Sequence, residues 1–205
     1  MSEKDSQRHR QRRRRIIAFL LLFLFIILLV ILIIFLALRP SKPAFVLQDV
    51  TVYAFNATVP NFLTSSLLVT ICSRNPNDNI GVYYNRLEVY ATHHSQQITH
   101  RTSLPPSYQG HNEVIIWSPL VYGTDVPVAP FIFSGLVQDQ YRGNIFVTIK
   151  IDGRVRWKVG PFVSSRYHLY VRCRAFINVG TQRTGITVGD NAVKYQLDQR
   201  CDVSV

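Results

Sequence analysis

The sequence predicts a mainly β protein: one N-terminal membrane-spanning helix, followed by an antiparallel β-sandwich with one short helix. Three observations predict it. Every residue from Ile16 to Leu38 is apolar. Beyond them come short runs rich in Val, Ile, Phe, Tyr and Thr, several with strict alternation, punctuated by Asn, Pro and Gly. Only Val128 to Tyr141 repeats its apolar residues at helical spacing. Many short strands with turn signals and one helix argue for packed sheets.

The first element follows from length. A helix over residues 16–38 spans about 34 Å at ~1.5 Å per residue, against a hydrocarbon core of roughly 30 Å. It bonds its own backbone and needs no polar help in lipid. A secretory signal has a shorter apolar run and small residues at its cleavage site. This run ends in Ala37-Leu38-Arg39-Pro40, so an uncleaved anchor is expected. Before it stand Lys4, Arg8, Arg10 and Arg12, Arg13, Arg14, Arg15, opposed by Glu3 and Asp5. Positive flanks stay in the cytosol. The expected layout is a basic cytosolic tail (1–15), a span (16–38) and an exported domain (39–205).

The formal net charge is +11, of which the tail supplies +5. Basic residues beside a bilayer attract anionic inner-leaflet lipid by about 1 kcal/mol each. An arginine run abutting a span therefore reads as topology, and no nucleic-acid partner is expected. The span lacks small residues at four-residue spacing, which removes one route to association; homo- or hetero-oligomers through it stay open.

Three cysteines, Cys72, Cys173 and Cys201, occur. In an oxidising compartment one pair is expected to bridge. Three pairings are allowed. Cys173 with Cys201 is preferred because both fall near the C-terminus on candidate strands, and Cys72 reads as a small buried residue in an apolar run.

In chain order, Ala44 to Phe55 reads as a strand. The sole N-x-Ser/Thr sequon, Asn56-Ala57-Thr58, follows in a turn-like stretch with Pro60 and Asn61, making Asn56 a candidate glycosylation site. Ser66 to Arg74 is a strand with Leu67, Val69 and Ile71 on one face. It ends at Asn75-Pro76-Asn77-Asp78-Asn79, a dense turn signal. Ile80 to Tyr84 and Leu87 to Ala91 read as strands, and Ser95 to Thr99 as a short partner. Arg101 to Gly110 reads as a loop and Val114 to Trp117 as a strand. In the helix, Val128, Phe131, Ile132, Gly135, Leu136 and Asp139 share a face, with Gly143 to close it. Ile145 to Ile151 and Val155 to Val159 alternate with polar residues, and Asp152-Gly153 between them predicts a hairpin turn. Tyr167 to Cys173 alternates likewise. Ala175 to Lys194 reads as a loop and Tyr195 to Val205 as a final strand.

The ordered series resembles the plant NDR/HIN-like (NHL) family, whose members carry a late-embryogenesis-abundant group 2, or WHy-type, domain. The residues that carry it are Asn75-Pro76-Asn77, Ile80-Gly81-Val82-Tyr83-Tyr84, Leu104 to His111, Trp117-Ser118-Pro119, Val126 to Pro130 and the ending from Cys173 to Cys201-Asp202-Val203. The resemblance implies an immunoglobulin- or fibronectin-like sandwich at the plant plasma membrane, with roles in pathogen defence and stress. Asn85 departs from it, since an Asp is expected after the tyrosine pair.

No G-x-S-x-G elbow, H-E-x-x-H helix, P-loop or dinucleotide fingerprint occurs. No cofactor is expected. His93, His94 and His100 suggest metal, but neighbours on a strand point to opposite faces, so they read as solvated or packing residues. Asn75-Pro76-Asn77 is either a binding motif or a turn that sets register. Arg154, Arg156 and Lys158 with Arg172 and Arg174 form a candidate contact face for acidic wall polysaccharide or anionic headgroups. The expectation is a non-enzymatic, single-pass plasma-membrane protein of defence and stress signalling, with protein partners, or of membrane–wall contact. The alternative is a lipid-binding or tethering module holding an apolar ligand between its sheets.

Overall fold

The computed structural model of the protein describes residues 2–37, 40–178, 185–188 and 192–205. It divides into two compact units, Met1–Arg39 and Pro40–Val205. The first is one helix, α1 (Ser2–Ala37). Its stretch Arg13–Leu32 is long and apolar enough to cross a membrane, by length and composition, and lies with its side chains exposed. The basic tail belongs to this helix. Glu, Lys, Gln and Arg are good helix formers, and no Gly or Pro interrupts them before Arg15.

The second unit begins with β1 (Ala44–Thr58), β2 (Phe62–Arg74), β3 (Ile80–His93), β4 (Gln96–Gln97), β5 (Thr102–Ser103), β6 (Ser107–Gln109), β7 (Val114–Trp117) and β8 (Leu120–Pro127). After α2 (Pro130–Arg142) come β9 (Asn144–Val159), β10 (Phe162–Val163), β11 (Tyr167–Asn178), β12 (Ile186–Val188), β13 (Ala192–Arg200) and β14 (Asp202–Ser204). One antiparallel sheet has the order β12-β13-β1-β2-β7, with β8 also on β2. The other runs β14-β11-β9-β3, with β4, β5 and β6 along the free edge of β3 and β10 on β9. The predicted sandwich class is the observed one.

Alternation builds the core. Leu47, Val50, Leu67, Val69 and Ile71 from the first sheet meet Val82, Tyr84, Val89, Ile149, Ile151 and Val171 from the second, all buried. Together these side chains form one buried cluster between the sheets. In α2, Ile132 and Leu136 are buried one turn apart, while Phe131 is 76% exposed. Phe131 precedes Ile132 by about 100° of helix, enough to turn it off the predicted face. Gly143, at φ 79°, closes the helix by donating its N–H to the carbonyls of Asp139 and Gln140.

The expected hairpin at Asp152-Gly153 does not form. β9 passes straight through, with Ile149, Ile151, Gly153, Val155 and Trp157 all buried. A two-residue turn sets the flanking residues Ile151 and Arg154 opposite each other on one face, which mixes core with charge. A straight strand keeps the alternation in step. Gly153 is required by crowding: a Cβ there meets Leu87 Cδ2 at 2.5 Å and the Arg86 carbonyl oxygen at 2.8 Å. This is where β3 bulges between Asn85 and Glu88 and Arg86 takes φ 57°.

Other boundaries move for similar reasons. The two expected strands of residues 80–91 are one strand bent by that bulge. Arg101 to Gly110 contains β5 and β6, held by β3. β8, which no alternation announces, pairs with β2 from Phe62 to Leu68. Within Ala175 to Lys194, β11 runs on to Asn178 and β12 and the start of β13 appear; residues 179–184 and 189–191 lie outside the described residues. The sequon is on strand β1, because β2 pairs with it as far as Thr58↔Phe62, and Asn56 is exposed there.

The expected last strand is two strands in two sheets. β13 pairs with β1, β14 pairs with β11, and Cys201 marks the crossing. Its N–H donates to the Phe45 carbonyl at 2.9 Å, and its sulfur bridges to Cys173 on the buried face of β11, Cα–Cα 4.4 Å. Cys72 is free and only half-buried, on the opposite side of β2 from the core row Leu67, Val69 and Ile71.

Candidate functional site

The Asn75-Pro76-Asn77 turn is a buried polar knot. Asn75 Nδ2 donates to the carbonyls of Ile80 (2.7 Å) and Gly110 (2.8 Å), and its Oδ1 accepts from the Asn77 N–H and Nδ2. Asn77 Nδ2 also donates to Ser41 O, and Asn77 Oδ1 accepts from Ser41 N, both at 2.8 Å. Every side-chain polar atom of the pair has a partner within the protein. Beside it Tyr84 OH donates to Gln109 Oε1 at 2.7 Å, and Gln109 Nε2 donates to the carbonyls of Ser73 and Glu113 at 2.8 Å. Burial pushes the Tyr84 phenol up. The Tyr84 ring stands edge-on to Trp117 at 5.3 Å, and Trp117 stacks on Phe45 at 6.4 Å.

The outward face of the second sheet is the charged one. Lys150, Asp152, Arg154, Arg156 and Lys158 alternate with the core row of β9, and His168, Tyr170, Arg172 and Arg174 do so on β11. The five predicted basic residues share this face, but it is not uniform. Asp152 divides it. Arg101 Nη1 reaches Glu88 at 3.0 Å and Asp152 at 3.5 Å, and His168 Nε2 lies 2.5 Å from Asp152 Oδ1. The Arg101 guanidinium also covers the Tyr90 ring at 4.5 Å.

On one side of this ion-paired centre lies a cavity of about 330 Å³, lined by Lys150, Arg172 and Arg174 with Thr92, Thr148 and Asp202. Lys150 belongs to it and was not among the predicted contact residues; its cross-strand pairing with Arg172 makes the cluster. On the other side Arg154, Arg156 and Lys158 follow along β9. Lys158 Nζ sits 5.2 Å from the Tyr108 ring, which leans on Tyr83 at 4.6 Å.

The late embryogenesis abundant protein family model, LEA_2, matches residues 70–173, from β2 through β11. NDR1/HIN1-like protein 1 of Arabidopsis thaliana is 58% identical over 170 residues, covering 82% of this chain and 81% of that protein. The chain belongs to the late embryogenesis abundant, NDR1/HIN1-like family. NDR1/HIN1-like protein 12 is 56% identical with 83% and 81% coverage, and NDR1/HIN1-like protein 26 is 38% identical with 73% and 71%, both from the same plant.

The knot and the divided face both fall largely within the family match, whereas Cys201 lies beyond it. Asn85, where the resemblance led to an Asp, faces Arg154 across the β3–β9 pairing, next to Tyr83 and Arg156. Its Oδ1 and the Arg156 Nε are both buried without a partner.

Sequence reasoning set His93 and His94 on opposite faces, and that expectation fails. His94 takes φ 42° and Ser95 φ 70°, which ends the strand's alternation and brings the two rings to 4.3 Å. The third histidine, His100, lies apart, edge-on to Tyr122 at 5.9 Å. In its place stands Asp139 of α2.

Proposed function

We propose that this chain is a non-enzymatic, single-pass plasma-membrane protein with its N-terminus in the cytosol and its sandwich outside, acting in plant defence and abiotic-stress signalling or in contact between membrane and wall. Family membership supports a plant protein associated with defence or stress. The observation that carries the topology is an apolar helix behind an arginine run, on a chain whose sheets are tied by Cys173–Cys201. Arginines hold their end in the cytosol, and a bridge persists where the surroundings oxidise. Asn56 is exposed for a glycan on that side. The two basic clusters offer their charge to acidic wall polysaccharide or anionic headgroups, the tail meets inner-leaflet lipid, and protein partners of defence signalling dock on the exported domain.

Protease protection of a C-terminally tagged chain in sealed microsomes tests this, with Asn56→Gln alongside. The tag should survive until detergent is added, and the substitution should abolish a glycan-dependent shift in mobility. Digestion of the tag in intact vesicles overturns the reading.

A further inference from the structure

Where β3 ends, its turn into β4 meets the last turns of α2. One ligand atom from each of His93, His94 and Asp139 lies within 4.8 Å of the others, the spread of donors around one ion. His93 is wholly buried. Its Nδ1 is taken by the Phe146 carbonyl at 2.7 Å, and its Nε2 is buried with no partner. A ring whose one nitrogen is fixed by a backbone carbonyl presents the lone pair of the other, which is how ligating histidines are held. An imidazole nitrogen left unsatisfied in the interior is costly unless something fills it.

Two more observations point the same way. Asp139 sits in the C-terminal part of α2, where the helix dipole disfavours an anion and a neighbouring cation offsets that penalty. His94 is exposed, in a left-handed conformation that a strand does not need, which gives an ion an entry path.

We propose that His93, His94 and Asp139 bind one divalent transition-metal ion of the zinc class. Two imidazoles and a carboxylate are a borderline nitrogen–oxygen set that suits zinc better than calcium or magnesium. Three protein ligands leave a position open to water or to a ligand from a partner. The site pins the β3–β4 turn to α2, at the margin of the basic cavity that Thr92 and Ser95 help to line.

The test uses the full chain in detergent micelles, stripped with chelator and titrated with Zn²⁺ by calorimetry, then with Co²⁺ to read its visible d–d bands. His93 is too buried to replace safely, so the variants are His94→Asn, which tolerates the left-handed backbone, and Asp139→Asn; His168→Asn is the control. One equivalent of Zn²⁺ should bind. Each of the two variants should weaken it by about tenfold or more, since even an outer-shell partner is worth about 10–100-fold. They should also lose the Co²⁺ bands, and the control should keep both. No stoichiometric binding by the unaltered chain, binding unchanged in both variants, or binding lost with His168 would each overturn the proposal.

Discussion

Opening the Cys173–Cys201 bridge should cost more than any surface change in this domain. Cys201→Ser is the cleaner perturbation, because Cys201 is half-buried while Cys173 remains as a small apolar side chain in the core. The bridge closes a sequence separation of 28 residues. In the chain-entropy relation a loop of that length removes roughly 12 cal/mol/K from the unfolded chain, about 3.6 kcal/mol at 25 °C. For a domain of this size 1 kcal/mol moves Tm by about 2–4 °C, so the expected fall is about 7–14 °C. Melting of the full chain in detergent, followed by circular dichroism in the β region, reads it. Reductant should bring the unaltered chain down to the variant's midpoint and leave the variant where it is. A variant melting within about 2 °C of the oxidised chain would refute the reasoning, since β14 and the sheet crossing would then hold without the staple.

Two further outcomes test the fold. Asn75→Ala strands the carbonyls of Ile80 and Gly110 and the Asn77 N–H, each a group worth about 1–3 kcal/mol when buried and unpaired, so urea unfolding should show a loss of at least about 3 kcal/mol. Asn75→Asp should not restore it, because a carboxylate has no N–H to give either carbonyl. Gly153→Ala drives a methyl into Leu87 and the Arg86 carbonyl and should lower stability by about 1–3 kcal/mol in the same measurement; a neutral result would mean that β3 does not crowd β9 at its bulge.

What could be read from the chain depended on the range of the interaction. α1 declares itself through the apolar run that fills most of it, and strands such as β2 and β7 through composition and alternation. β9 shows where local reading slips. Asp-Gly is a strong turn signal, yet the parity of its neighbours was already against a two-residue hairpin: Ile151 and Val155 stay on one face only if the strand runs straight. The pressure that selects glycine at 153 comes from the β3 bulge, residues 85–88, distant in sequence. β8 is short and rich in exposed positions, and owes its form to β2 beside it. The histidines were misjudged because the alternation rule holds only while the strand lasts, and His94 lies one residue past its end. Asp139 could not be tied to them by any spacing, since α2 brings it there from more than forty positions away.

Several of the residues that announce the family are interior ones. Asn75, Asn77, Tyr84, Gln109 and Trp117 are buried, and they hold one another through hydrogen bonds or ring contacts. They tie the chain entering the domain at Ser41 to the start of β3 and the end of β6. A likeness carried by such residues identifies the architecture, because it is the architecture that needs them. What the fold leaves outward is a different set: Lys150, Arg172 and Arg174 around one cavity, Arg154 and Lys158 along the same strand row, and His94 at its margin. Asp152, bound by Arg101 and His168, keeps the two basic groups apart, so the face carries two separate patches of positive charge rather than one broad field. Under the proposed function, a partner with anionic groups spaced to match would engage both, and a compact anion only the cavity. For the anionic partner proposed above, the spacing of charges on this one sheet face is therefore the feature that would set selectivity.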